Sequence, residues 1–192
     1  MRVWLTGMVL AALMAGGASA GESAAGSADS VMRRLADDVL AVARSGDADE
    51  AAKLAKIEGL VDGAFDFRLM SRLVLGEQWA GLSAEQQATF TGEFRRLLLN
   101  SYASKVVHYE GETVEFTGLT EKAGKADVRT RLVARDAAFA IDYRLVERAD
   151  GQWLIYDVVI DGVSFLKTYI SQYRAVLKSK GFEELIQTMR QA

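Results

Sequence analysis

At Gly111 the apolar residues of this chain change their spacing, and that change limits the folds open to it more than any other feature. Beyond it the period is two. Val114 and Phe116 alternate with charged or polar neighbours, as do Val128, Thr130 and Leu132, and then Phe139, Ile141, Tyr143 and Leu145. Alternation of this kind predicts strands with one face on a core and one on water. The separators are turn-like and short: Lys122 to Lys125, Arg135-Asp136, and Asp150-Gly151. Parallel neighbours need a crossover of about a dozen residues or more, so these strands must pair as antiparallel hairpins. The segment Trp153 to Ile160 is apolar on both faces, which predicts a fourth strand that is central or covered twice.

Before Gly111 the apolar residues keep helical spacing. Val31, Leu35, Val39 and Val42 mark a first helix up to Arg44, and Gly46 breaks it ahead of Asp47, the expected N-cap of a second. That second helix carries Leu54, Ile57 and Val61, with Phe65 next in phase. A further helix through Leu69, Leu73 and Val74 ends at Gly76, where a left-handed C-cap is expected. Ser83 with Gln86 three residues on is a capping-box pattern, and it opens the longest helix, with Phe90, Phe94, Leu97, Leu98, Tyr102 and Val106 as its apolar stripe. After the strands come one helix with Leu166, Tyr169, Ile170, Tyr173 and Leu177, and, past Gly181, a short one with Phe182, Leu185, Ile186 and Met189. Helices, meander, helices is an α+β order: one curved antiparallel sheet of about four strands, wrapped by N- and C-terminal helices.

The first twenty residues carry one charge, Arg2, an apolar run from Val3 to Ala15 and a small-residue close at Ala18-Ser19-Ala20. This is the pattern of a secretory signal peptide over 1–20, with the mature chain starting near Gly21. Residues 21–28 are Gly, Ser, Ala and Glu and read as a flexible leader, leaving 29–192 as a single domain. The chain has no cysteine, so it offers no disulfide, no thiol nucleophile and no residue to carry a lipoprotein anchor. Half of its residues are hydrophobic, enough for a core without such staples. A formal net charge of −3 gives no basis for nucleic acid as a partner.

A catalytic or metal constellation is not evident. His108 is the only histidine and falls near the end of the long helix, where the helix dipole favours it; no metal and no cofactor is expected. Nucleophile-elbow, phosphate-loop and H-E-x-x-H patterns are missing. Asp142 and Asp157 are the carboxylates to weigh, because each lies within a strand pattern beside a tyrosine, Tyr143 and Tyr156. An Asp base with a Tyr donor in a cone-shaped α+β fold could enolise a ketone. The other reading is structural: Asp142 alternates with Arg144 on the face opposite Ile141, and Asp157 can hold a turn or helix terminus. In Asp161-Gly162-Val163-Ser164, Gly162 permits positive φ and Ser164 can serve as an N-cap. The aromatic and aliphatic residues Leu98, Tyr102, Phe116, Phe139, Ile141 and Tyr143 remain, and periodicity alone reads them as core.

Two stretches of the sequence resemble a known family. Leu73-Val74-Leu75-Gly76, Trp79, Leu82-Ser83, Phe90, Phe94, Leu98 and Tyr102 are similar to the helical half of the MlaC, or toluene-tolerance, family. Gly151-Gln152-Trp153, Tyr156-Asp157-Val158, Ile160-Asp161-Gly162-Val163-Ser164, Tyr169, Gln172-Tyr173-Arg174 and Gly181-Phe182 follow that family's second pattern, with Asp161 where Glu is more usual. The resemblance implies a non-enzymatic, soluble periplasmic phospholipid carrier whose apolar pocket takes two acyl chains. Its expected partners are phospholipid, an inner-membrane Mla-type ABC transporter complex and an outer-membrane lipoprotein–porin complex, serving outer-membrane lipid asymmetry. It places Tyr102 and Phe139 in the pocket. Strand parity extends the expectation to Ile141, Tyr143 and Phe116, and helical spacing to Leu98 and Val106. A periplasmic chaperone or interaction module is the remaining alternative use of the same apolar surface.

Overall fold

The computed structural model describes residues 26–46, 49–106, 111–135 and 137–191, with the side chains of 103–106 left aside. Helix α1 spans Ala28–Ala43, α2 Glu50–Ala64 and α3 Phe67–Leu75; a 3-10 turn over Gly76–Gly81 leads into α4, Ala84–Val106. The strands β1 (Thr113–Lys122), β2 (Lys125–Val133), β3 (Ala138–Glu147) and β4 (Trp153–Ile160) follow, then β5 (Val163–Ser164), α5 (Phe165–Lys180) and α6 (Phe182–Gln191). The fold is α+β, with one open antiparallel sheet in the order β1-β2-β3-β4-β5. The four long strands are those the alternation predicts. The fifth is a two-residue addition, made because Asp161 and Gly162 both take positive φ, 47° and 82°, and so close a tight hairpin between Ile160 and Val163.

Local signals place most helix ends. Ser83 and Gln86 exchange the two bonds of a capping box, Ser83 N–H to Gln86 Oε1 at 3.0 Å and Gln86 N–H to Ser83 Oγ at 3.1 Å. Ser164 caps α5 by accepting from Lys167 N–H. Two boundaries differ from expectation. The cap of α2 is Asp49, which accepts from the N–H groups of Ala51 and Ala52, while Asp47 lies outside the described residues. Phe65 does not continue α2: its backbone turns extended, it bridges to Ile155 in β4, and the next residue, Asp66, donates its N–H to the Ile155 carbonyl and caps α3. Tertiary pairing outweighs helical phase there.

Two large apolar clusters result, beside a small one around Ile57 and Leu99. The helical one gathers Met70, Val74, Leu75, Phe90, Phe94, Leu98, Tyr173, Leu185 and Met189 from α3 to α6. The other joins α1, through Ala28 and Met32, to Ala126, Val128, Leu145, Trp153, Ile155 and Val158 of the sheet. Phe65 and Phe165 pack against both. Two buried carboxylates hold the clusters' frames together. Asp66 pairs with Arg148 at 2.6 Å while capping α3. Asp157, 1% exposed, accepts from Arg144 (2.9 Å), Ser164 Oγ (2.7 Å) and Leu166 N–H (3.1 Å), so one carboxylate fixes strand, turn and the start of α5. Arg174 makes a third tie, donating to the carbonyls of Leu73 and Val74. It occupies the space a side chain at Gly76 would need, and Gly76 takes a φ of +60°.

Candidate functional site

The strand register puts the sequence-predicted residues of the sheet on one face. Phe116 pairs with Thr130, Thr130 with Ile141 and Ile141 with Ile160, which makes one row across the sheet. The next row outward is Val114, Leu132 and Phe139; the next inward is Leu119, Val128, Tyr143 and Val158; beyond it lie Ala126, Leu145 and Ile155. Cover is uneven along these rows: Val128, Thr130, Leu132 and Val158 are buried, whereas Leu119 on β1 and Phe139 on β3 are each 41% exposed. Ala126, Leu145 and Ile155 are buried under the start of α1 and under Ala64 and Phe65, and Ile141 and Tyr143 are half-covered. Helix α1 lies along this face, with Ala28 and Met32 buried near its start and, beyond buried Ala43, Arg44 donating from its guanidinium to the Glu112 carbonyl just before β1. Among the described residues this is an apolar face, buried over Ala126, Leu145 and Ile155 and open to solvent at Phe139.

Polar groups on this face are satisfied within it. Thr130 is buried mid-sheet and its hydroxyl donates to the Ile141 carbonyl at 2.7 Å, so the wall shows no spare donor there. At the β1 edge the guanidinium of Arg33 sits 4.1 Å above the Phe116 ring while bonded to Asp29, a cation resting on an aromatic face.

Tyr102 approaches from the helical side. Its ring stacks on Phe165 at 4.5 Å, and Phe165 is one of the two residues shared by both clusters. Its side chain hydrogen-bonds Tyr169, whose hydroxyl is pushed up to about 12 by burial first and then by Tyr102. Burial and then Tyr169 raise Tyr173 as well. These phenols stay neutral at any physiological pH and act as packed aromatics with local hydrogen bonds. Leu98, one turn before Tyr102, is buried in the helical cluster and is not among the residues packed on the sheet. Val106 lies in α4, its side chain outside the described residues, and His108 lies outside them altogether.

Sequence reasoning missed Phe165, which it left without a role, and did not see that α1 supplies Val31, Leu35 and Met32 to the sheet face. The stripe on α1 was legible; which surface it covers depends on the connection through residues that carry no local signal. The structure does not converge the enzyme-like pairs. Tyr143 looks into the apolar face whereas Asp142, paired with Arg129 and Val159, alternates to the outer one. Both oxygens of Asp157 are taken by the three donors named above. Among the described residues no three acids or histidines group as metal ligands, and no helix is long and apolar enough to cross a membrane. Two hollows of about 540 and 490 Å³ lie elsewhere, one between α4 and α6 by Ser83, Glu183 and Arg190, the other beside Lys122, Lys125 and Tyr156.

An open antiparallel sheet with one apolar face, backed by a helical bundle with its own core, defines an α+β class of protein. The MlaC family model matches residues 33–191, and the chain belongs to that family. A phospholipid-binding protein from Ralstonia solanacearum, solved in complex with a phospholipid, superposes with a TM-score of 0.76 at 27% identity, covering 84% of this chain and 94% of that one. The intermembrane phospholipid transport system binding protein MlaC of Haemophilus influenzae is 27% identical over 124 residues, 62% of this chain. The match spans 58% of the length of that curated relative.

Proposed function

We propose that this protein is a periplasmic phospholipid carrier, exported by the signal-like segment 1–20, that ferries lipid between an inner-membrane Mla-type ABC transporter complex and an outer-membrane lipoprotein–porin complex and so maintains outer-membrane lipid asymmetry. One observation carries the reading: a sheet face whose apolar cover runs out toward Phe139, in a chain that shares its fold and 27% of its residues with a protein solved holding a phospholipid. Phe116, Phe139, Ile141 and Tyr143 form the sheet wall for the acyl chains. Tyr102 forms the helical wall through its stack on Phe165, and Leu98, one turn earlier in the same cluster, and Val106 are the further α4 positions assigned to the pocket by helical spacing.

Carriage of this kind needs no catalytic group. At about 0.8 kcal/mol per CH₂, two acyl chains represent on the order of 20 kcal/mol of hydrophobic free energy, and the wall must recover most of it. Because the lipid leaves a bilayer that is equally apolar, net transfer is close to neutral and direction comes from the partners. The protein is accordingly not an enzyme, and Asp142 and Asp157 serve structure. Native mass spectrometry of the purified mature chain tests this. The expected spectrum shows an N-terminus near Gly21 and a mass increment matching a phospholipid; a lipid-free protein that turns over a small polar substrate would overturn it.

A further inference from the structure

Three large hydrophobic residues are exposed in the described part of the molecule: Leu119, Phe139 and Val163. Two of them, Phe139 (41%) and Val163 (62%), stand together at the open end of the apolar face. Val163 pairs with Ile160, Ile160 with Ile141, and Asp161 donates its N–H to the carbonyl of Ala140, the neighbour of Phe139. The Asp161 carboxylate is turned onto the Ala140 N–H at 3.0 Å, so the acid of this rim is engaged by backbone.

Helix α5 begins two residues after Val163. From Phe165 to Lys180 it holds Lys167, Arg174, Lys178 and Lys180 and no acid, in a chain whose net charge is −3. Lys167, Arg174 and Lys178 are exposed and, at 3.6 residues per turn, fall within about 40° of one another around the helix. Arg174 fixes the side on which this stripe runs, because its guanidinium is bonded to the end of α3. That helix adds exposed Arg68 and Arg72, again with no acid between Phe67 and Leu75. Apolar side chains at a rim, continued by a stripe of cations, make the pattern that settles on the headgroup layer of an anionic bilayer.

We propose that the open end of the apolar face docks directly on an anionic phospholipid membrane surface, with Val163 and Phe139 at the headgroup boundary and the ammonium groups of Lys167 and Lys178 on the headgroup charges. The proposal rests on the carrier reading for its purpose, since a lipid crosses least water when the open end meets the bilayer. With so few apolar contacts the association is weak and reversible, as a carrier requires.

Cosedimentation of the mature protein with phosphatidylglycerol/phosphatidylethanolamine vesicles, against pure phosphatidylcholine vesicles, tests it. Binding is expected on the anionic vesicles at low salt and should be lost at high salt. Each cation near such a surface contributes roughly a fivefold change in binding, so Lys167→Glu should weaken it by at least about tenfold. Val163→Asp should weaken it by a similar factor. Both variants should keep their copurifying phospholipid by native mass spectrometry, since neither residue lines the proposed acyl walls. Equal binding to neutral vesicles, unchanged binding of both variants, or no binding by the wild type at low salt overturns the proposal; the last result would leave the open end to a protein partner. A wild type without phospholipid in the spectrum counts against the carrier reading instead, and the vesicle comparison still decides the docking.

Discussion

Around Tyr173 the helical cluster closes on every side: Phe90 and Phe94 stack 5.8 Å apart, both meet the Tyr173 ring edge-on, and all three are buried. Around Ile141 the sheet face is built from the same residue types but is only partly covered, and its last aromatic, Phe139, meets solvent. Aromatic and aliphatic stripes at regular spacing therefore serve two purposes in one chain. What separates them is whether a second layer reaches the residue, and at Phe139 it leaves 41% of the residue exposed.

The sharpest way to break this comparison is to put the same charge in both places. Phe94→Arg buries a guanidinium among rings with no partner and should leave the protein unfolded, because burying an unpaired charge costs more than typical domain stability allows. Phe139→Arg can turn its head to water, so it should melt close to wild type while losing bound phospholipid. Circular dichroism melts and lipid stoichiometry on the same preparations check both halves; an unfolded Phe139→Arg protein would place that residue in the filled core after all.

The joint between the regions comes next. Asp157→Asn keeps the shape but removes the charge that three donors share, and it leaves Arg144 facing a neutral amide. Urea denaturation should show a loss of about 2–3 kcal/mol, within the range for hydrogen bonds to charged groups. A near-zero change would mean that strand and helix are held by the Phe165 packing alone.

A smaller effect belongs to the outer edge of the helical cluster. Bonds from Arg190 and then Arg96 hold the Glu93 carboxyl below the ordinary glutamate value of 4.5. A carboxyl whose folded pKa is depressed stabilises the fold above its unfolded pKa, and that contribution disappears as pH falls through the folded one. Glu93→Gln should thus cost roughly 1–2 kcal/mol at neutral pH, discounted for the two partly exposed arginines. The gap between variant and wild type should close below about pH 4.5. A gap independent of pH would assign the loss to packing.

Much of this architecture can be read from residues in order. The period change at Gly111 marks the sheet, and the short turns make it antiparallel. Ser83 with Gln86 and Ser164 locate two helix starts because their capping bonds are local. Phe65 shows the limit: in phase with α2 by spacing, it is claimed by β4 through a partner ninety residues on. The shared face was legible, since parity alone puts Phe116, Ile141 and Tyr143 on one side of the sheet. Its openness was not, because periodicity cannot tell exposed Phe139 from its buried neighbour Leu132 in the same row. Leu98 carries the same lesson in reverse, with the spacing of a wall residue and the surroundings of a core one.

Phe165 belongs to both clusters, and Phe65 joins them by side chain and by a backbone bridge to Ile155. A shared residue cannot be released by one neighbour without being lost to the other. The well-packed half therefore lends its cooperativity to the loosely covered one, and the amides of β3 and β4 should exchange with deuterium through the same global opening as those of α4 and α5, with no earlier sub-global event of their own.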